Sequence, residues 1–421
     1  MPPSRGFVFL WGINDLWRHP RDRNFMESDN PGREGSVKIV HVATVSATLR
    51  SFLLPFARFF TRKGWQVDGI AGGIAGCRSC EGAYHTRSEV PWRRNPVALA
   101  NFVKAAPQVR SLVLKGGYDI VHVHTPVAAF VTRWALRKLR RQGRVIVIYT
   151  AHGFHFHKLG SRLANFGYLL LERIAARWTD YLIVINQEDC EAAKRYHLVP
   201  AEKLILMPGI GVDASALSAE GVRQDAVEKV RSELGLPADG VLFLMIAEFT
   251  LNKRHSDVLR AMALTRDVPF VVAFAGDGAN LQAMKALAVE LGVSERTFFL
   301  GFREDIPVLI RAARATLMVS LREGLPRSIM ESLCLEVPAI GTDIRGVRDL
   351  LSDGCGILVP PKDPRALSDA LRQLAEDSGL ASAMGRRGRE KMTGEYRLEN
   401  IIDMHEKLYT NALAKVGGRV S

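Results

Sequence analysis

No apolar run in this 421-residue chain reaches the roughly 18 residues that a bilayer-spanning helix needs, so an integral helical membrane protein is not expected. The opening stretch, MPPSRGFVFLWGIND, holds a short apolar patch without a small-residue cleavage site, and charged residues follow it. It does not read as a signal peptide. Cysteine is scarce. Five residues, at 77, 80, 190, 334 and 355, cannot all pair, and their spacing suggests no disulfide framework. A reducing compartment fits that usage best. Cys77-Arg-Ser-Cys80 is a lone CxxC, which fits half a zinc site or a redox pair; no second pair or His cluster follows, so the two read first as incidental loop cysteines. Acidic residues are also few, 44 against 57 Lys and Arg, giving a formal net charge of +13. Such an excess suggests a polyanionic partner: nucleic acid, anionic lipid or a phosphorylated substrate. Nucleic acid is set aside, because no aromatic-and-basic recognition motif or zinc finger accompanies the charge.

What is present is ordinary globular material, 47% hydrophobic and 24% charged, long enough for two domains with separate cores. Residues 1–36 are rich in Pro, Arg, Asp and Gly and carry no period; they read as a disordered extension, or as an upstream start with initiation near Met26. From residue 37, short β-rich runs alternate with longer amphipathic segments. Lys38–Ala43 and Gln66–Ile70 flank a helix from Phe52 to Lys63, closed by Gly64. Ile120–His124, Val145–Thr150, Tyr181–Ile185 and Leu204–Met207 continue this first array. A polar Ala/Ser stretch follows Pro208-Gly209-Ile210-Gly211. The second array carries Val241–Ile246, Phe270–Ala275, Ala315–Val319, Val337–Gly341 and Gly356–Val359. Continuous apolar strands with helices between them predict two parallel, doubly wound α/β sheets, over 37–214 and 215–395. Ligands bind such sheets at the C-terminal strand ends, so one deep cleft between two facing domains is expected.

The densest basic stretch, Arg133 to Arg141, interleaves Trp134, Leu136 and Leu139 with five cations. It reads equally as a helix lying on a membrane and as a solvated helix face. His152, His155 and His157 offer no fourth ligand of obvious type, so zinc is not expected there. His122 and His124 share one face of a strand and read as core or cleft-edge groups, outside the chemistry.

The most informative stretch is Arg322-Glu323-Gly324-Leu325-Pro326-Arg327-Ser328-Ile329-Met330-Glu331, which follows a strand and enters a helix at Pro326. The helix N-terminus suits an anion, which leaves Glu323 and Glu331 as acceptors for hydroxyls. By residue type alone the pair is as readily an acidic cap and a surface glutamate. E-x7-E with Gly-Leu-Pro between, however, resembles the signature of retaining GT-B glycosyltransferases of family 4. Lys253-Arg254 after the first strand of the second array agrees with it, as do Gly276-Asp277-Gly278 and Gly301-Phe302-Arg303. Tyr118–Pro126 and Tyr149–Phe156 resemble a bacterial exopolysaccharide and capsule subgroup. The likeness runs from about residue 37 to 410.

The resemblance implies a GT-B fold of two Rossmann-like domains with a final helix, about 396–415, packing back on the first. It implies that Glu323, with Gly324 and Leu325 in its loop, contacts the donor sugar and Glu331 the ribose. Lys253, with Arg254, would neutralise the diphosphate; His152 would stand near the anomeric carbon; Gly301, Phe302 and Arg303 would hold the base. Glu248 departs from the pattern, since many relatives have arginine there and a carboxylate repels a diphosphate. No DxD-type pair for a metal–diphosphate bridge stands out, so neither metal nor cofactor is expected. Fixed cations and helix N–H groups would meet the charge of the leaving group. The implied partners are a nucleotide-sugar donor, a UDP-linked hexose or N-acetylhexosamine, a polyprenyl-diphosphate-linked saccharide acceptor of surface polysaccharide biosynthesis and an anionic membrane surface, the protein being cytoplasmic or peripheral at the inner face of the plasma membrane.

Other activities also fit parts of this pattern. A glycosidase needs carboxylates roughly 5 to 9.5 Å apart, whereas eight residues of helix span ~12 Å. Gly209-x-Gly211-x-x-Ala214 fits a loose dinucleotide fingerprint, but no helix follows at once. A UDP-sugar 2-epimerase of similar architecture and a non-enzymatic membrane-surface protein complete the alternatives.

Overall fold

The structure, a computed structural model, describes residues 36–93 and 95–417. The extension expected over residues 1–36, with its alternative start at Met26, lies outside the described residues apart from Ser36. The chain divides into two compact units. Among the described residues, one takes those up to Ile185, Cys190–Ile210 and those from Ile402; the other takes Asn186–Asp189 and Gly211–Ile401.

Among the described residues, seven strands build the first unit: β1 (Lys38–Val45), β2 (Gln66–Gly72), β3 (Arg87–Ser88), β4 (Ile120–His124), β5 (Ile146–Ala151), β6 (Tyr181–Val184) and β7 (Leu204–Leu206). Six build the second: β8 (Val241–Ile246), β9 (Phe270–Ala275), β10 (Thr297–Gly301), β11 (Ala315–Met318), β12 (Ala339–Thr342) and β13 (Gly356–Val359). The orders are β3-β2-β1-β4-β5-β6-β7 and β10-β9-β8-β11-β12-β13, with every pairing parallel. Both sheets are doubly wound as expected. Their switch points lie between β1 and β4 and between β8 and β11, where crossovers leave for opposite faces and open a crevice at the strand ends. Central strands are covered on both sides, which is why β4 (IVHVH) is buried at all five positions and β8 (VLFLMI) at five of six.

The helix Pro126–Arg141 starts with proline in its first turn, where the missing N–H costs nothing. Its packing corrects one sequence reading. Leu136 and Leu139 are buried in the first unit's core, and Trp134 meets Phe102 edge-on at 5.0 Å. Arg133 is itself buried, 4.1 Å above the Tyr149 ring and paired with Glu172 at 3.1 Å. Leu136 and Leu139 are spent on the core and Trp134 is half-buried, so the stretch presents no continuous apolar face to a bilayer. A second correction concerns Cys77 and Cys80, which are disulfide-bonded across the short turn Arg78–Cys80. That turn brings their Cα atoms to 5.3 Å, so no wider framework is needed. Cys190, Cys334 and Cys355 are free and buried. Among the described residues no helix is long and apolar enough to cross a membrane. The last helix, Leu398–Gly417, sends His405 and Tyr409 onto Phe56 and Phe60 of the first unit, with ring centroids 4.8 and 5.2 Å apart.

Candidate functional site

In the second unit, β8 and β11 are neighbours, and the loops leaving them carry the two groups singled out from sequence. Lys253 lies in the turn Leu251–Lys253 and Glu323 in the segment before the helix Arg327–Cys334. Lys253 Nζ stands 2.7 Å from Glu323 Oε1, with side-chain exposures of 21% and 14%. Asn252 ties the loops together: its Nδ2 donates to the Arg322 carbonyl at 3.1 Å, and its carbonyl accepts from Leu321 N at 2.9 Å. Glu248, part-buried after β8, has its carboxyl pushed up by burial while the Lys253 charge acts in the opposite sense.

Four residues that the sequence reading passed over frame this loop within the same unit. Arg345 is 4% exposed; its Nη1 meets Asp189 Oδ1 at 2.6 Å and its Nε donates to the Glu323 carbonyl at 3.2 Å. Asn186 Nδ2 donates to Asp189 Oδ2 at 2.9 Å and to the Gly324 carbonyl at 3.5 Å. Gly346 has φ 73°, and a Cβ there would stand 1.8 Å from the Gly324 oxygen. Only glycine fits so close to that backbone. The signal was thin: Arg345-Gly346 sits just past β12, at the same sheet edge as the other loops.

The remaining expected donor-site residues are arranged as follows. Arg254 adopts left-handed backbone, φ 49°, and two of its nitrogens fork onto Asp257 at 2.8 and 2.6 Å. Glu331 sits inside the helix, 4% exposed, with Arg327 Nε on its Oε1 at 2.8 Å; burial raises its carboxyl pKa, against Arg327. Leu325 packs against the core cluster under that helix. Gly301 closes β10 at φ 65°, and its carbonyl accepts from Gly276 N at 2.7 Å. Phe302 beside it is 49% exposed. Arg303 forks onto Asp305, whose carboxyl it holds below the usual range. Gly276 presses on the end of β8, where a Cβ would lie 2.1 Å from the Ala247 oxygen.

In the first unit, His152 follows β5. Its ring stacks on Phe52 at 5.7 Å, and its Nε2 lies 3.2 Å from Nδ1 of His124 at the end of β4. Burial, reinforced by His405, lowers the His152 pKa to about 4, so the ring is neutral at physiological pH. His41, His122 and His405 complete a cluster around His124, with His122 and His124 centroids 4.1 Å apart. His155 packs on Tyr168 at 5.1 Å. Among the described residues no group of three or more His, Cys, Asp or Glu side chains is arranged to hold a metal ion.

The sequence model described as Glycosyl transferases group 1 matches residues 226–391, and that described as Glycosyltransferase Family 4 matches residues 50–215. The chain is 34% identical over 357 residues to EpsD of Bacillus subtilis (strain 168), a glycosyltransferase by name, covering 84% of this chain and 91% of that one. It is 27% identical over 328 residues to the Escherichia coli UDP-Gal:alpha-D-GlcNAc-diphosphoundecaprenol alpha-1,3-galactosyltransferase, covering 76% and 82% of the two chains. In fold it is similar to a glycosyltransferase of Rickettsia africae (TM-score 0.75, 17% identity, 90% and 99% covered). It is also similar to Anabaena HepE in complex with UDP (TM-score 0.73, 17% identity, 89% and 100% covered).

Proposed function

The chain belongs to glycosyltransferase family 4, with the GT-B fold, and from that premise we propose that it moves a sugar from a UDP-linked donor to a lipid-linked saccharide, retaining anomeric configuration without a metal. The observation that carries the reading is the Lys253–Glu323 pair at 2.7 Å, set at the switch point of the second sheet. Lys253 meets the negative charge that develops on the departing diphosphate, where a fixed cation acts without reorganisation. Glu323 accepts hydrogen bonds from sugar hydroxyls, and Glu331 answers the ribose. His152, a neutral imidazole, hydrogen-bonds the transferred sugar. The bond from the anomeric carbon to the phosphate oxygen breaks while the acceptor oxygen bonds that carbon on the same face; the acceptor's proton passes to a donor phosphate oxygen. The named activity of the Escherichia coli relative supports the choice of donor nucleotide and of a lipid diphosphate acceptor.

The test is a panel of nucleotide sugars with a polyprenyl-diphosphate saccharide, read by product anomeric configuration and by rate with and without a chelator. UDP release coupled to an α-linked product from an α-linked donor, unchanged by chelator, is expected. Epimerised donor in the absence of acceptor would replace this reading with that of a 2-epimerase. The loop frame gives a further expectation. Gly346→Ala drives a methyl group into the Gly324 carbonyl and shifts the Glu323 loop, so kcat/KM should drop about 100-fold, the scale of a ~1 Å misplacement. Kinetics alongside thermal melting would separate this from general unfolding.

The membrane partner is proposed at a different helix from the basic stretch, Arg162–Ala176. Leu163, Phe166 and Leu170 are 83%, 65% and 46% exposed, and at 100° per residue they fall on one side of the helix. Arg162, Arg173 and Arg177 share that side and are exposed, whereas the helix's one acid, Glu172, turns inward to Arg133. An apolar stripe edged by cations complements an anionic lipid surface. Sedimentation with vesicles containing phosphatidylglycerol should carry the protein down, and Leu163→Asp with Phe166→Asp should reduce the bound fraction more than tenfold. Equal binding of the double variant would remove this face from the account.

A further inference from the structure

We propose that His124 is a positioning residue, holding His152 in the tautomer whose Nδ1 carries the proton, so that His152 offers its ligand an N–H donor. The inference rests on the reading of His152 as a sugar-binding group and adds which atom does the binding.

His124 is 1% exposed on β4, and its Nδ1 stands 3.2 Å from His152 Nε2. Its own Nε2 is buried without a hydrogen-bond partner. The rings that face it are His41 at 5.8 Å, His122 at 4.1 Å and His152 at 5.4 Å, with His405 next to His122 at 5.8 Å. His122 does not compete for the His124 nitrogens: its Nδ1 meets the Tyr409 hydroxyl at 2.6 Å and its Nε2 the Thr150 hydroxyl at 2.7 Å. Burial first, and then repulsion from neighbouring histidines (His405 for His152; His122, His152, His41 and His405 for His124), holds both rings neutral, one proton each.

One proton per ring leaves two arrangements of the bond. If His152 Nε2–H donates, His124 must carry its proton on Nε2, which buries an N–H with nothing to accept it. If His124 Nδ1–H donates, its Nε2 is a bare acceptor, and His152 is protonated at Nδ1. Buried N–H groups left without an acceptor are rarer in folded proteins than acceptors left unfilled. The second arrangement therefore wins. It reverses the usual preference of histidine in water for Nε2–H. A ring so held donates to a hydroxyl or ether oxygen and cannot serve as a base at Nδ1, which matches sugar recognition rather than proton abstraction.

The experiment uses the full chain labelled with nitrogen-15 histidine, with two-bond proton–nitrogen correlation spectra to read each tautomer. The His152 signals are assigned by their loss in His152→Gln. Wild type should show His152 protonated at Nδ1. His124→Leu should move it to Nε2 and weaken binding of the UDP-sugar about tenfold while UDP binds within twofold of wild type. His124→Asn, whose side-chain amide can donate from the place of Nδ1, should restore both. An Nε2-protonated His152 in wild type, or a tautomer unchanged in His124→Leu, overturns the proposal. If instead the tautomer behaves as expected but His152→Gln binds the UDP-sugar as wild type does, the sugar role of His152 falls and the tautomer control stands.

Discussion

Glu323→Ala will lower kcat/KM for sugar transfer by about 10³-fold, the upper range for losing one electrostatic contact to a transition state, while the melting midpoint stays within a few degrees of wild type. The two halves of that expectation have different causes. Glu323 is 14% exposed, and its carboxylate meets Lys253, 21% exposed, in a part-buried pair that keeps some solvent contact; breaking such a pair costs on the order of 1 kcal/mol of folding stability. The backbone of its loop is held by Asn252, Arg345 and the close approach of Gly346, none of which uses the Glu323 side chain. Removing the carboxylate thus leaves the scaffold standing and takes away the group assigned to the donor sugar. A non-enzymatic membrane scaffold built on this fold would show no change in its function. Parallel kinetics and calorimetry of the variant read both halves at once.

The second large effect concerns acid. His41, His122, His124 and His152 all have lowered pKa values, burial being the first cause and neighbouring histidines the next; His41 falls to about 3 and His152 to about 4. In the unfolded chain each returns to about 6.5. Between those values the unfolded state binds more protons than the folded one, so stability rises with pH across the window and is lost as pH falls through it. The contribution is complete above about pH 6.5. Each unit of lowering is worth about 1.4 kcal/mol, so several kcal/mol should disappear between pH 6.5 and pH 4. The cluster lies wholly in the first unit and reaches the final helix through the His122–Tyr409 hydrogen bond at 2.6 Å. Denaturant titrations from pH 8 to pH 4 should show the transition of that unit moving steeply while the other moves less. A first-unit transition that stays flat down to pH 5 would mean that these rings are not held neutral.

The sheets were legible because their central strands are unbroken apolar runs. β4, β8, β9 and β13 coincide with the runs picked from sequence, and the others picked there fall within two residues. Two strands were missed for physical reasons. β3 is two residues, Arg87 and Ser88, paired through their backbone to β2, too short for any alternation to show. β10 is an edge strand, half-exposed, and its Gly301 looks like the start of a loop. Periodicity in Arg133–Arg141 showed that a stripe existed but not which side was covered, and burial of Leu136 and Leu139 settled it. Within the candidate site, Lys253 and Glu323 could each be placed after a strand. Their meeting across 70 residues needed the adjacency of β8 and β11, which local pattern does not encode. Asn186, Asp189 and Arg345 were invisible for the same reason: an arginine and an aspartate 156 residues apart announce nothing until they are buried together.

The assignment of Lys253 to the nucleotide is tested most directly by the melting temperature of the full chain with and without UDP, in wild type and in Lys253→Met. At UDP near 100 times its dissociation constant, wild type should gain about 2.7 kcal/mol of stability and melt measurably higher. Lys253→Met, which keeps only Arg254, already forked onto Asp257, should lose most of that gain. An equal upward shift in both proteins, or none in wild type, would contradict the account.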